Sequence, residues 1–292
     1  MSGVRAPFFT GKLYNGDLTP HESQSFSVKL INKIIMEFTN FTIELLSFLF
    51  LAALIAGFLD TLAGGGGLIS LPALIISGIP PLSALGTNKL QGSMGTATAT
   101  YVMLKSKKVR WGNVKHLMLS AFIGALLGTI AVQFVNTEVL NFVIPTVLLI
   151  IAIYFLVAPQ PKKTGSRPRI SKSIYQKTII PFIGWYDGMF GPGTGSFFAL
   201  SGVSLRGHGL IDATAVAKTL NFSTNIASLV IFLIAGKVVW LVGIVMILGQ
   251  FIGAWGGSHC LFKINPKYLR LIVVAMCFGM LGKYTFSMGW LV

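Results

Sequence analysis

Charge is scarce in this sequence, and negative charge is scarcest. Only 11% of the 292 residues are charged, with eight Asp and Glu against 23 Lys and Arg. A soluble domain carries roughly 25% charged residues because its surface must be hydrated, so a water-exposed globule is excluded. Cysteine is nearly absent: Cys260 and Cys277 both lie in or beside apolar stretches. That excludes a disulfide framework and a thiolate metal site, and leaves both as small packing residues. The four histidines, His21, His116, His208 and His259, are scattered, and no HExxH pair, nucleophile elbow or phosphate-binding loop occurs. No enzyme, cofactor or metal site is predicted.

What is abundant is apolar sequence: 53% hydrophobic residues and a mean hydropathy of +0.76. Apolar runs at 43–63, 116–135, 139–158, 238–262 and 269–290 are near or beyond the ~20 residues needed to cross a hydrocarbon core. More polar spans are predicted at 84–104, 179–203 and 213–235. The fold class is therefore all-α, a polytopic transmembrane helical bundle whose first partner is the lipid bilayer. Residues 1–40 form a polar N-terminal extension, with an amphipathic stretch at 26–36. No short apolar segment with a cleavage site opens the chain, so the first span is expected to act as a retained anchor.

The net charge of +15 raises the question of nucleic acid, and its distribution answers it. Lys105, Lys107, Lys108, Arg110 and Lys115 crowd one loop, and Lys162, Lys163, Arg167, Arg169, Lys172 and Lys177 another. Both lie between apolar spans, which is how cytoplasmic loops are marked. Aromatics do not alternate with these charges as a base-stacking platform requires. No nucleic-acid partner is predicted.

The second half of the chain repeats the first. Gly57-Phe58-Leu59-Asp60 before Gly64-Gly65-Gly66 matches Gly184-Trp185-Tyr186-Asp187 before Gly191-Pro192-Gly193. Lys89 then matches Lys218, Lys108-Val109-Arg110-Trp111 matches Lys237-Val238-Val239-Trp240, and Gly124/Gly128 matches Gly253/Gly257. The division is a first transmembrane repeat at 41–158, a basic cytoplasmic linker at 159–177 and a second repeat at 178–292. Duplicated transporters place their site at the repeat interface, and small-xxx-small pairs let helices pack closely. Four elements per half give about eight spans, parallel repeats and both termini cytoplasmic. Five per half would invert the repeats. Charge alone does not decide, because the first count leaves Lys263, Lys267 and Arg270 outside. The eight-span count is preferred.

Two features inside the spans carry chemistry. Gly64, Gly65 and Gly66, and Gly191, Gly193 and Thr194 with Pro192, break helices within apolar sequence. Such backbone is tolerated at membrane depth only where protein buries it or it lines a wet cavity. A helix restarting there aims free N–H groups at an anion; the alternative is a packing seam. The second feature is intramembrane charge: Asp60, Lys89, Asp187 and Lys218. Each costs about 2.5–3.5 kcal/mol at the bilayer centre on insertion scales, so they face inward. There the lysines attract an anion and Asp60 and Asp187 couple protons, or the four form structural ion pairs. Asn88 and Gln91 flank Lys89, and Lys218, Asn221 and Asn225 share a helical face. Hydrogen bonding to substrate and hydrogen bonding between helices both account for that polarity.

Together Ala56-Gly57-Phe58-Leu59-Asp60 with its glycine run, Gly86-Thr87-Asn88-Lys89, Trp185-Tyr186-Asp187-Gly188-Met189-Phe190-Gly191-Pro192-Gly193 and Lys218-Thr219-Leu220-Asn221 resemble the TauE/SafE (sulfite exporter, TSUP) family, and most of all its YfcA-like members. The resemblance covers roughly 43–290. It implies a multi-pass transporter in the bacterial plasma (inner) membrane, moving sulfite or a related sulfur-containing or organic acid anion. The extension at 1–40 departs from the usual family start. A secondary transporter or exporter of a small anion is the expectation. The alternatives are a passive anion channel using the same cavity and a non-transporting membrane assembly protein.

Overall fold

A computed structural model describes residues 41–157, 165–260 and 266–287. The polar extension at 1–40, the linker up to residue 164, and the far ends of the predicted spans at 139–158, 238–262 and 269–290 lie outside the described residues.

The described chain is helical, with no strand among the described residues. Helix α1 (Ile43–Ala63) starts on Thr42, whose Oγ1 accepts the Leu45 N–H at 3.3 Å. It stops at Gly64, which takes the left-handed cap conformation, φ 76°, and donates its N–H to Asp60 O. After the break α2 (Gly67–Ile76) is short, and α3 (Pro81–Lys105) opens on a proline whose missing N–H costs nothing in a first turn. Helices α4 (Trp111–Gln133) and α5 (Thr137–Val157) complete the first half. In the second half a helical turn at Lys172–Ile174 and a π segment at Tyr175–Ile179 lead without interruption into α6 (Ile180–Met189). Then come α7 (Thr194–Arg206), α8 (Leu210–Ile234), α9 (Trp240–Cys260) and α10 (Pro266–Ser287). The predicted span at 179–203 is thus two helices, because Gly191 and Gly193 adopt positive φ values of 94° and 79° that end one and start the next.

Five described helices are long and apolar enough to cross a membrane: α1, α4, α5, α8 and α9. The molecule is inside-out relative to a soluble protein. Leu119, Ile123, Leu127 and Ile130 form an exposed stripe on α4, while Lys89 and Lys218 are among the largest fully buried side chains, each 1% exposed. Such a surface is stable only against lipid.

Helix directions follow from which residues meet. Gly249, Gly253 and Gly257 of α9 face the carbonyls of Phe50, Leu54 and Phe58 of α1 in the same order, so the two run parallel. Gly124 and Gly128 of α4 face Pro181 and Trp185 of α6 in the same way. Helix α3 also runs with α9, pairing Gly86 with Lys237 and Gly95 with Gln250. Helices α3 and α8 are antiparallel: Thr100 Oγ1 donates to Lys218 O, and Asn225 Nδ2 to Thr96 Oγ1. Since α1 and α3 point the same way, α2 between them runs back. Helix α4 opposes α3 as well, since its Ala125 and Thr129 lie beside Gly188, level with the Lys89–Asp187 pair, while Val114 and Leu117 join one apolar cluster with Met103; α6 and α8 thus share a direction and α7 runs back between them.

Candidate functional site

The two glycine breaks abut at the centre of the molecule. A Cβ on Gly64 would lie 2.7 Å from Ser196 N, one on Gly195 3.2 Å from Gly64 Cα, and one on Gly67 3.1 Å from Pro192 Cα. A side chain at Gly64 would force the breaks apart, and one at Gly195 or Gly67 would crowd them. Tyr186 braces the second break by donating its hydroxyl to Pro192 O at 2.6 Å, and Thr194 Oγ1 donates to Gly191 O at 2.7 Å.

Around these breaks, each buried lysine pairs with an aspartate from the other half of the chain. Lys89 Nζ lies 2.8 Å from Asp187 Oδ2. Lys218 Nζ lies 3.1 Å from Asp60 Oδ2 and also donates to Asp60 O. Each lysine is the ninth residue of its 25-residue helix, α3 or α8. Because those helices are antiparallel, the two pairs lie at opposite depths. Thr100, which touches Lys218 O, is eleven residues beyond Lys89 on α3, about 16 Å at 1.5 Å per residue.

The pairs differ in completeness. The Asp60 carboxylate also accepts the Gly66 N–H at 3.3 Å, so one side chain fixes the lysine and the first glycine break together. Lys89 and Asp187 meet at 2.8 Å as an ion pair and hold each other by that one contact. Beyond each other, neither Lys89 Nζ nor Asp187 Oδ2 has a hydrogen-bond partner among the described residues. The attraction is real, yet the ammonium keeps donors to offer.

Between the pairs lies a small polar cavity, ≈ 30 Å³ of space open to water, room for about two water molecules. Of the residues predicted from sequence, Lys89, Asn88, Gln91, Asn221, Asn225, Asp60 and Asp187 line it, as do Gly64, Gly66, Gly191, Gly193 and Thr194. Lys218 and Gly65 do not. Gly67, Gly92, Thr96, Gly195 and Gln250 complete the wall. Asn88 Oδ1 is already engaged, accepting from Ser70 Oγ at 2.6 Å and Gln91 Nε2 at 2.8 Å. Gln91 Oε1 and Gln250 Oε1 have no hydrogen-bond partner among the described residues. Gln250 was not foreseen: it is a lone amide in an apolar run, and Ala121 stands at the matching place in the other half. Among the described residues no three His, Cys, Asp or Glu cluster.

Apolar helices around a buried polar cavity, with helix breaks and charges at its wall, define a multi-pass membrane protein with an internal polar cavity. The chain belongs to the sulfite exporter TauE/SafE family, which matches residues 49–284. It is 44% identical over 231 residues to a "Probable membrane transporter protein ORF9" of Sinorhizobium sp., covering 79% of this chain and 88% of that one. It is 39% identical over 248 residues to a "Probable membrane transporter protein" of Haemophilus influenzae, covering 85% and 97%. The "Probable membrane transporter protein YfcA" of Escherichia coli K12 is 39% identical over 243 residues, covering 83% and 90%. No solved structure matches.

Proposed function

We propose that this chain is a secondary transporter of a small anion, sulfite or a related sulfur-containing or organic acid anion, in the bacterial inner membrane. The observation that carries the proposal is the cavity wall: a buried ammonium, Lys89, with unused donors, facing glycine breaks whose helices restart toward the same space. The printed names of the relatives agree with transport, and the family description names sulfite. The cavity's size favours a compact substrate.

We further infer that the two halves are inverted repeats, which revises the preference for parallel ones. The support is the set of helix directions: α1 and α3 run one way, α6 and α8 the other. With α2 and α7 re-entrant, the connection after α3, the linker and the start of α10 share one face of the membrane. That face collects Lys105, Lys107, Lys108 and Arg110, together with Arg167, Arg169, Lys267 and Arg270, so it is the cytoplasmic one. The start of α1 and the end of α10 then lie on the opposite side.

The test is thermal melting of the detergent-purified protein with sulfite, sulfate, thiosulfate, sulfoacetate, methanesulfonate or acetate. A ligand of the folded state stabilises it by about 2.7 kcal/mol at a hundredfold excess over Kd. We expect a shift with at least one of these anions, and none with Lys89→Met. Because that change strands Asp187, the Lys89→Met/Asp187→Leu double variant, which removes both charges, serves as the folded control. An unchanged shift in the double variant would overturn the site.

A further inference from the structure

The two Lys–Asp pairs are alike in sequence and unlike in structure, and the difference assigns them separate work. Resting on the anion-transport reading above, we propose that the anion displaces Asp187 from Lys89 and that Asp187 then takes up a proton. Anion and proton thus occupy the cavity together, while Lys218–Asp60 stays closed as a latch.

Asp60 has its partners filled. One carboxylate oxygen meets Lys218 Nζ, the other accepts Gly66 N–H, and the same ammonium reaches Asp60 O. Opening that pair would free a helix end, a glycine break and a lysine at once. The pair is also absent on the lysine side from the cavity wall. Lys89 and Asp187 both line the wall, and Lys89 Nζ and Asp187 Oδ2 have no partner among the described residues beyond each other. Gly191 lies directly over it: a Cβ there would sit 3.2 Å from Lys89 Nζ and 3.6 Å from Asp187 Oδ1. The absent side chain leaves the exchange unobstructed.

Charge balance supplies the proton. At rest the ammonium and the carboxylate cancel. When a monovalent anion accepts the N–H donors of Lys89, an ionised Asp187 would leave the buried site with a net negative charge, which a low-dielectric interior resists. One proton from cavity water, replaced from bulk solvent, forms one O–H bond on Asp187 and restores neutrality. The groups facing Asp187 do not supply a substitute cation. From α3 there is Lys89 itself; from its own helix the neighbouring Tyr186 hydroxyl, engaged with Pro192 O. Helix α4 presents Ala125 and Thr129 beside Gly188, neither titratable, and across the cavity Lys218 is held by Asp60.

The experiment is calorimetric titration of the full chain with each anion that stabilises it in the melting panel, in two buffers of different ionisation enthalpy, corrected for the anion's own ionisation. The wild type should take up about one proton per anion, and its affinity should fall by up to about tenfold per pH unit on the alkaline side. Asp187→Asn should abolish the uptake, and Asp187→Glu should restore it. Binding with no proton uptake in the wild type overturns this proposal and leaves anion binding standing. Uptake that survives Asp187→Asn, or that disappears in an Asp60→Asn protein that still binds the anion, overturns it as well. If no anion of the panel binds, the transport reading falls and takes this proposal with it.

Discussion

Lys218 and Lys89 hold matching sequence positions, yet Lys89 lines the polar cavity and Lys218 lies outside its wall, bound to Asp60. The sequence assigns both the same alternatives, attraction of an anion or a structural ion pair. The contacts separate them. Lys218→Met strands the Asp60 carboxylate and loosens Gly66, and removing one partner of a buried pair costs about 3–5 kcal/mol. We expect a large fall in melting temperature in detergent, partly recovered by Lys218→Met/Asp60→Leu. A Lys218→Met protein as stable as wild type would show that the latch holds nothing. Asp60, Lys89, Asp187 and Lys218 were legible because charge inside apolar sequence is conspicuous and recurs at matched places. Their partners were not. Nothing in the spacing says that Lys89 reaches Asp187 across the molecule and not the nearer Asp60, since that depends on how the halves interlock. Gln250 carries no charge and no counterpart, so it gave no signal.

At the scale of elements, the extensive contacts α1–α9 and α4–α6 are built on glycine. Gly249, Gly253 and Gly257 lie against carbonyls of α1, and Gly124, Gly128, Gly184 and Gly188 interlock α4 with α6. A Cβ at Gly253 would collide with Leu54 O, a backbone atom that cannot step aside. Gly253→Leu should therefore prevent a stable α1–α9 contact, read as loss of the monodisperse protein after detergent extraction. Gly279 in α10 has nothing within 4 Å of its Cβ position, so Gly279→Ala should leave yield and melting temperature unchanged. Equal behaviour of the two variants would contradict close packing as the role of the glycine rows. The spacing of the small residues predicted that role, and hydropathy predicted most helices. The direction taken after each glycine break was not legible: glycine permits a reversal as readily as a continuation, and only the neighbours of α2 and α7 fix it. The π segment at Tyr175–Ile179 left no mark in the apolar pattern either.

For the whole molecule, the proposed arrangement sets the faces of the membrane. In a variant with Cys260 and Cys277 replaced by Ala, a cysteine at Asn136 should react with a membrane-impermeant maleimide on intact cells, and one at Ser106 only after permeabilisation. The reverse pattern, or labelling of both, would reject inverted repeats in this orientation. The reciprocal exchange of aspartates between halves also bears on ancestry. If the halves descend from one unit, that unit carried a lysine whose partner lay on another copy. It would have worked only as a pair of identical chains inserted in opposite senses, and its basic loops must then have been too evenly balanced to favour either. On that descent, charge asymmetry in the loops would become permissible only once fusion had fixed each half in its own orientation.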